Sequence, residues 1–304
     1  FTRHLENIRT RYMMYMATDT KAEGTLYLCA TPIGNLGDIT ERVLETLRTV
    51  DLIAAEDTRN TLKLLNHFDI KTPMTSYHEH NKFEKAEELI RQLREGKNIA
   101  CVTDAGTPAI SDPGEVLAKR CIEEGIRVTS LPGACALITA LTMSGMSARR
   151  FVFEGFLPVD KKQRKHVLES LTDEERTIIL YESPHHLKDT LKELEAALGE
   201  GRKLTVCREL TKKFEEAVPT TIADAEAFYV ENDPRGEYVL VLEGADPAVK
   251  EQEKREAFEN MSIEEHVAKY EAQGKSHKEA MRKAAADRGI SRRDVYNALI
   301  VKKQ

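Results

Sequence analysis

The chain is poor in the features that would place a protein at once. It has no uninterrupted apolar run approaching the ~20 residues needed to cross a bilayer as a helix, which excludes a helical span. Its five cysteines, Cys29, Cys101, Cys121, Cys135 and Cys207, are scattered, without the short paired spacing of a zinc site or a redox dithiol. Three of them fall in expected strands, where a free cysteine acts as a small buried hydrophobe, and the pattern points to a reducing, cytoplasmic compartment. No metal-ligand spacing and no repeat of fixed period is visible, so no metal is expected. The net charge of −6 argues against a positive field over the whole molecule but leaves local patches open. Residues 1–23 do not begin with Met and lack the apolar stretch of a signal peptide; they are expected to be an N-terminal extension outside the fold, disordered or added.

What is present is enough for two domains: 304 residues, 41% hydrophobic and 32% charged, the balance of a soluble globular chain with a real core. From Gly24, short β-rich runs alternate with helical stretches. TLYLCA, DLIAAED, NIACV and IRVTS read as strands, and DITERVLETLRTV, TRNTLKLLNHF, KFEKAEELIRQLREG and EVLAKRCIEEG as helices, which implies βα units and a mostly parallel sheet. ACALITALTMSG is nearly all apolar and reads as a buried helix. A second α/β series follows, with KKQRKHVLESL and HHLKDTLKELEAALG as helices, TIILYES, KLTVCREL and GEYVLVLEG as strands, and DAEAFYVEN left unassigned. The expected architecture is therefore two α/β domains, residues 24–150 and 151–244, a charged linker over 245–260, and a small three-helix module over 261–304. Ser262 with Glu265, Ser276 with Glu279 and Ser291 with Asp294 fit the capping pattern that starts a helix. From Gly274 to Gln304 there are nine Lys or Arg against three acids, so this tail is basic inside an acidic chain.

The conformationally permissive residues gather at the carboxyl ends of expected strands. TPIGN follows the first, DAGTPAISDPG follows the strand ending at Val102, and LPGA follows the one ending near Ser130. Glycine allows close backbone approach and proline fixes the turn around it. Tight βα connections explain one such loop more easily than three. In an open α/β sheet the ligand crevice lies at this edge, so three such loops predict a pocket lined by backbone N–H and C=O groups. The ligand is not a simple phosphate one: no loop carries the Gly-Lys-Ser/Thr ending of a P-loop, G-x-G-x-x-G is absent, and the loop after the first strand lacks the usual fingerprint of nucleotide-fold methyltransferases.

The string TPIGNLGDIT, DLIAAEDTRNT, VTDAGTPAISDPG, SLPGACALITAL, FVFEGFLP, YESPHHL, CRELTK and GEYVLVLEG, in this order and at these distances, resembles the bacterial ribosomal RNA small subunit methyltransferase I family of the tetrapyrrole-methylase superfamily. The likeness runs from about Gly24 to Gly244, and the helical tail is similar to the family's small C-terminal domain. The resemblance implies an enzyme that uses S-adenosylmethionine to methylate the ribose 2′-oxygen of a cytidine in the decoding region of 16S rRNA. It also implies a cofactor cleft between two α/β domains of tetrapyrrole-methylase type, a homodimer, and 16S rRNA or the small ribosomal subunit as partner.

On that basis the cofactor is expected at Asp104, Ala105, Gly106, Ile110 and Ser111, with Pro132 and Gly133 in the next loop and Pro32, Gly34 and Asn35 at the cleft floor. Tyr181, Glu182 and Ser183, with Arg208 and Glu209, are expected to close the other side. Glu56, Asp57 and Arg59 form the candidate catalytic cluster, without one residue singled out as the base. A carboxylate held by Arg59 is better suited to orientation than to proton abstraction. Lys212 would serve as a base only if its pKa were depressed. RNA contacts are expected at His78 and His80, at Lys161, Lys162, Arg164 and Lys165, at Lys212 and Lys213, and at Arg292 and Arg293, since phosphate contacts supply much of nucleic-acid affinity. Two other readings stay open: a tetrapyrrole-carbon methyltransferase, separated by which substrate takes the label, and a non-enzymatic RNA- or DNA-binding protein, whose binding would ignore S-adenosylmethionine.

Overall fold

A computed structural model of the chain describes residues 23–248 and 261–301; the extension up to residue 22 and linker residues 249–260 lie outside the described residues. The chain forms two compact units. One runs to Leu171 and resumes over Thr177–Leu242; the other joins Thr172–Arg176 to the chain from Glu243 onward.

The first sheet of the larger unit contains β1 (Leu26–Cys29), β2 (Leu52–Ala55), β3 (Met74–Ser76), β4 (Ile99–Val102) and β5 (Val128–Leu131), in the order β3-β2-β4-β1-β5. Every pair is parallel. Its central strands β1, β2 and β4 are apolar on both faces because helices cover both. On one face α1 (Glu41–Thr49) and α2 (Thr58–His67) bring Val43, Leu47 and Leu65 onto Ile53, Ala100 and Val102. On the other, α3 (Lys82–Arg94) and α4 (Gly114–Glu123) bring Leu89, Leu93 and Leu117 onto Leu26, Ala54 and Ile99. Cys29, Cys101, Cys121 and Cys207 are buried free thiols.

The second sheet is mixed. β6 (Phe151–Phe156) pairs parallel with β7 (Thr177–Glu182), whereas β10 (Tyr238–Leu242), β8 (Lys203–Arg208) and β9 (Glu216–Thr221) add antiparallel, in the order β6-β7-β10-β8-β9. α6 (Lys161–Leu171), α7 (Leu187–Leu198) and α8 (Ile222–Glu231) pack Leu168, Leu191, Leu194 and Ile222 on one face of it. The other face receives α5 (Ala136–Ser144), through Leu137, Ala140 and Leu141 against Ile179, Val239 and Val241. The sheet thus lies between two helical layers, one of them supplied by the segment that follows β5.

Several elements depart from the sequence reading. β3 was not expected: it has only three residues and follows Pro73 at a sheet edge. β9 was also missed, because Pro219 interrupts it; as the edge strand it pairs only with β8, where a missing N–H is tolerated. The unassigned DAEAFYVEN segment belongs to α8, whose cap is Thr221 accepting from the Asp224 N–H. α5 is buried on one face only, with Ile138 and Met143 46% and 39% exposed, since the sheet beneath it covers a single stripe.

The smaller unit contains α9 (Ile263–Ala272), α10 (His277–Arg288) and α11 (Arg292–Val301) around Val267, Ala280, Met281, Ala284 and Val295. Ser262 and Glu265 form a reciprocal capping box, Ser276 caps α10, and Ser291 accepts from the Asp294 N–H. Gly289 takes the left-handed conformation that ends α10.

Candidate active site

The loops after β1 and β4 are tied edge to edge. Thr31 and Gly106 exchange backbone hydrogen bonds of 2.9 and 3.0 Å, and Gly106 sits at φ +86°. Beyond it, Asp112 acts as a local anchor: Oδ1 accepts from the N–H of Ala109 (3.0 Å) and Gly114 (2.8 Å), and Oδ2 from Ile110 (3.1 Å). This holds Ala109 and Ser111 at φ +70° and +65°. Of the five described non-glycine residues at positive φ, four lie in this loop or in the one after β8, where Glu209 and Thr211 stand at +51° and +65°. Such strain is of order 1–3 kcal/mol per residue and gathers where a ligand is held.

A carboxylate network crosses the carboxyl ends of β2 and β4. Glu56 Oε2 accepts from Thr103 Oγ1 (2.5 Å) and from the Asp104 N–H (3.2 Å). Asp104 in turn accepts from the Asp57 N–H (3.2 Å) and Asn60 Nδ2 (3.4 Å). Asp57 caps α2 and is paired with Arg59, whose hydrogen bond pulls its carboxyl down to about 2. Burial, then the neighbouring Glu56 charge, pushes Asp104 the other way, upward from its ordinary value.

The second sheet supplies the opposite wall, from the carboxyl ends of β7 and β8 and the start of the antiparallel β10. The Leu137 N–H at the head of α5 donates to the Tyr181 hydroxyl (3.1 Å). Glu182, 5% exposed, accepts from Thr190 Oγ1 (2.5 Å) and the Ser183 N–H (2.7 Å). Lys212 Nζ bridges Glu209 (2.9 Å) and Glu237 (3.0 Å). Burial opposes the charge on Lys212, but these hydrogen bonds leave its pKa raised, so the condition for using it as a base is not met.

These walls enclose a cavity of about 510 Å³. Of the residues singled out from the sequence it brings together Glu56, Asp104, Ala105, Gly106, Ile110 and Ser111 from the first lobe, and Tyr181, Glu182, Ser183, Glu209 and Lys212 from the second. Thr103, Phe156 and Glu237 also line it and were not expected. Glu237 carries no local signal, because it reaches the site through its pairing with Lys212, a residue 25 positions away. Six lining carboxylates, those of Glu56, Asp104, Asp112, Glu182, Glu209 and Glu237, face a single lysine.

Other expected residues fall elsewhere. Asp57 and Arg59 stand outside the lining, on the α2 cap. Arg208 pairs with Glu216 (2.8 Å) rather than with Glu209. Pro32 and Gly34 line a neighbouring cavity of about 320 Å³, and Asn35 caps the short 3-10 turn Leu36–Asp38. Pro132 and Gly133 are not in the lining; Gly133 serves packing, since a Cβ there would lie 2.7 Å from that of Ala30. Arg164 is turned inward onto Thr190 (2.7 Å) and Glu193 (2.5 Å), which takes it off the surface expected to meet RNA. Lys161, Lys162, Lys165, Lys213, His80, Arg292 and Arg293 are exposed, and His78 is half-buried beside His80.

A family model of Tetrapyrrole (Corrin/Porphyrin) Methylases matches residues 25–226, which places this chain, with its two sheets converging on an acidic crevice, in that class. A solved cobalt precorrin-4 methyltransferase of cobalamin biosynthesis superposes with a TM-score of 0.56 at 20% identity, over 75% of this chain and 98% of that one, a likeness of fold. Within the class, the chain is 51% identical over 273 residues, 90% of its length and 96% of the relative's, to the ribosomal RNA small subunit methyltransferase I of Synechocystis sp.. It is 50% identical to the protein of that name in Halalkalibacterium halodurans, over 93% of this chain and 96% of the relative. The chain belongs to the ribosomal RNA small subunit methyltransferase I family.

Proposed function

We propose that the chain transfers a methyl group from S-adenosylmethionine to the ribose 2′-oxygen of a cytidine in the decoding region of small-subunit ribosomal RNA. Family membership carries the coarser part, methyl transfer from S-adenosylmethionine to ribosomal RNA. The observation that supports a site for it is the 510 Å³ crevice with its acidic lining. Its size lies in the roughly 300–1,000 Å³ range of small-molecule sites. Its charge suits a donor that carries a sulfonium and an ammonium. Ser183, in the lining, has a buried Oγ with no hydrogen-bond partner among the described residues, the kind of group a bound polar ligand satisfies.

Asp104, the backbone of Ala105 and Gly106, Ile110 and Ser111 would hold the donor from one side, and Tyr181, Ser183 and Glu209 from the other. Pro32, Gly34, Asn35, Pro132 and Gly133 shape the loops behind them. Glu182 and Arg208 support the second wall from within. When bound, the donor supplies an electrophilic methyl group for in-line displacement; the protein must orient the acceptor hydroxyl and take its proton. Glu56 fixes the Asp104 backbone, and Asp57, kept ionised by Arg59, fixes the head of α2. The exposed basic residues on α6, after β8 and on α11 are suited to RNA phosphates, and the working form is a cytoplasmic homodimer. Mass spectrometry of nucleosides from small-subunit RNA incubated with protein and labelled donor tests the reading. Label in 2′-O-methylcytidine is the expected result, and label confined to a base or to a tetrapyrrole would overturn it.

A further inference from the structure

The second cavity, about 320 Å³, lies between α2 and the loop after β1, and shares two wall residues with the acidic crevice: Thr103 and Asp104. Its charge differs from that of its neighbour. Where the first is lined by six carboxylates and one lysine, the second has Asp104 as its only acid and carries Lys63 and His67, with Leu36, Leu64 and Pro32 as an apolar bed. Lys63 and His67 are one helical turn apart and form a row along α2, whereas Arg59, one turn before Lys63, is paired with Asp57 and lies outside the cavity. Lys63 and His67 are exposed along this row.

A methyl donor and its acceptor need adjoining sites that meet at the reacting atoms. An RNA chain is repelled by the acidic crevice, whereas a cavity with an apolar bed, a lysine and an imidazole donor at its rim and one carboxylate at the shared wall fits a nucleotide. The bed takes the base or sugar face, the row on α2 takes phosphate, and the carboxylate accepts from a hydroxyl. We propose that this second cavity holds the acceptor nucleotide of a single-stranded RNA segment, with Asp104 at the wall accepting a hydrogen bond from the ribose hydroxyl and the α2 row gripping the flanking phosphate. The proposal rests on the methyl-transfer reading above and names the place of its acceptor.

The test uses the full chain and small ribosomal subunits in two variants, Lys63→Glu on the exposed row and Leu36→Trp to fill the bed. Lys119→Glu on α4, which covers the opposite face of the sheet, is the charge control. Subunit affinity is read by filter binding with S-adenosylhomocysteine present, donor affinity by calorimetry, and folding by thermal melting. Lys63→Glu is expected to weaken subunit binding about tenfold and to reduce the salt slope by about one. Leu36→Trp is expected to weaken subunit binding several-fold, and all three variants to keep donor affinity. Subunit binding unchanged in both α2-side variants, or a loss of donor affinity in either, overturns the proposal. A wild-type chain that binds no donor at all would instead strike the methyl-transfer reading.

Discussion

Asp57 and Asp104 are hydrogen-bonded neighbours whose protons are held with opposite strength. Arg59 keeps Asp57 ionised down to about 2, while burial and Glu56 raise Asp104. An ionised carboxylate with a raised pKa is the better proton acceptor of the two, and it is the one at the shared wall. Activity that needs Asp104 ionised rises with pH through its pKa, so the acid limb of the rate profile should be displaced upward from where an ordinary aspartate would put it. Asp104→Asn should remove that limb and lower kcat by roughly 10²-fold or more. Single-turnover rates across the acid range check this, and an unaltered limb in the variant would exclude the role. His266 gives a second pH dependence, in the tail. It is fully buried, with Nδ1 accepting from Arg288 Nε (3.1 Å), Nε2 3.2 Å from Asp287 Oδ2, and Lys269 nearby. Burial, then Arg288, lowers its pKa despite Asp287. The folded state therefore disfavours a proton that the unfolded chain accepts near its ordinary ~6.5, and stability falls as pH drops through that value towards the folded pKa. Hydrogen exchange at α9–α11 amides should quicken over that window, and His266→Gln should remove the dependence.

At the level of elements, the loop after β4 is the piece most exposed to a single substitution. Gly106 needs φ +86°, and a Cβ there would lie 3.3 Å from Ile33 Cγ2, a residue that lines the crevice. Gly106→Val should cost about 1–3 kcal/mol and weaken donor binding at least about tenfold. Gly125→Ala is the comparison: its φ is +75°, but nothing lies within 4 Å, so it should share the backbone strain and spare the donor. Thermal melts and calorimetric titration of the pair separate the two effects. This loop was legible in the sequence because glycine and proline report local backbone demands. The first sheet was legible for a similar reason: its central strands are short apolar runs and its helices carry their own period. β3 and β9 were not, since one is three residues long and the other is broken by Pro219 yet stabilised by its neighbour β8. Arg164 and the row on α2 escaped for a further reason: a basic residue's partners are set by which helix packs beside it, and local sequence does not carry that.

In the larger unit, the helix that follows the first sheet belongs to the core of the second. α5 follows directly from β5 of the first sheet, yet Leu137, Ala140 and Leu141 are buried against Ile179, Val239 and Val241 of the second. Its N-terminus is held by the Tyr181 hydroxyl, whose own pKa burial pushes up to about 12. The two walls are thus joined through the short connection from β5 into α5, and Ile33 of the loop after β1 packs against the same cluster, so a loss of packing there should reach both. Leu141 is 3% exposed, so Leu141→Ala should destabilise the unit by about 2–5 kcal/mol. Hydrogen exchange should then show amides of β1 and β4 losing protection together with those of β7 and β10, in one cooperative step. If only the second sheet loosens while β1 and β4 keep their wild-type protection, the lobes fold independently, and the crevice must instead be assembled by its ligand.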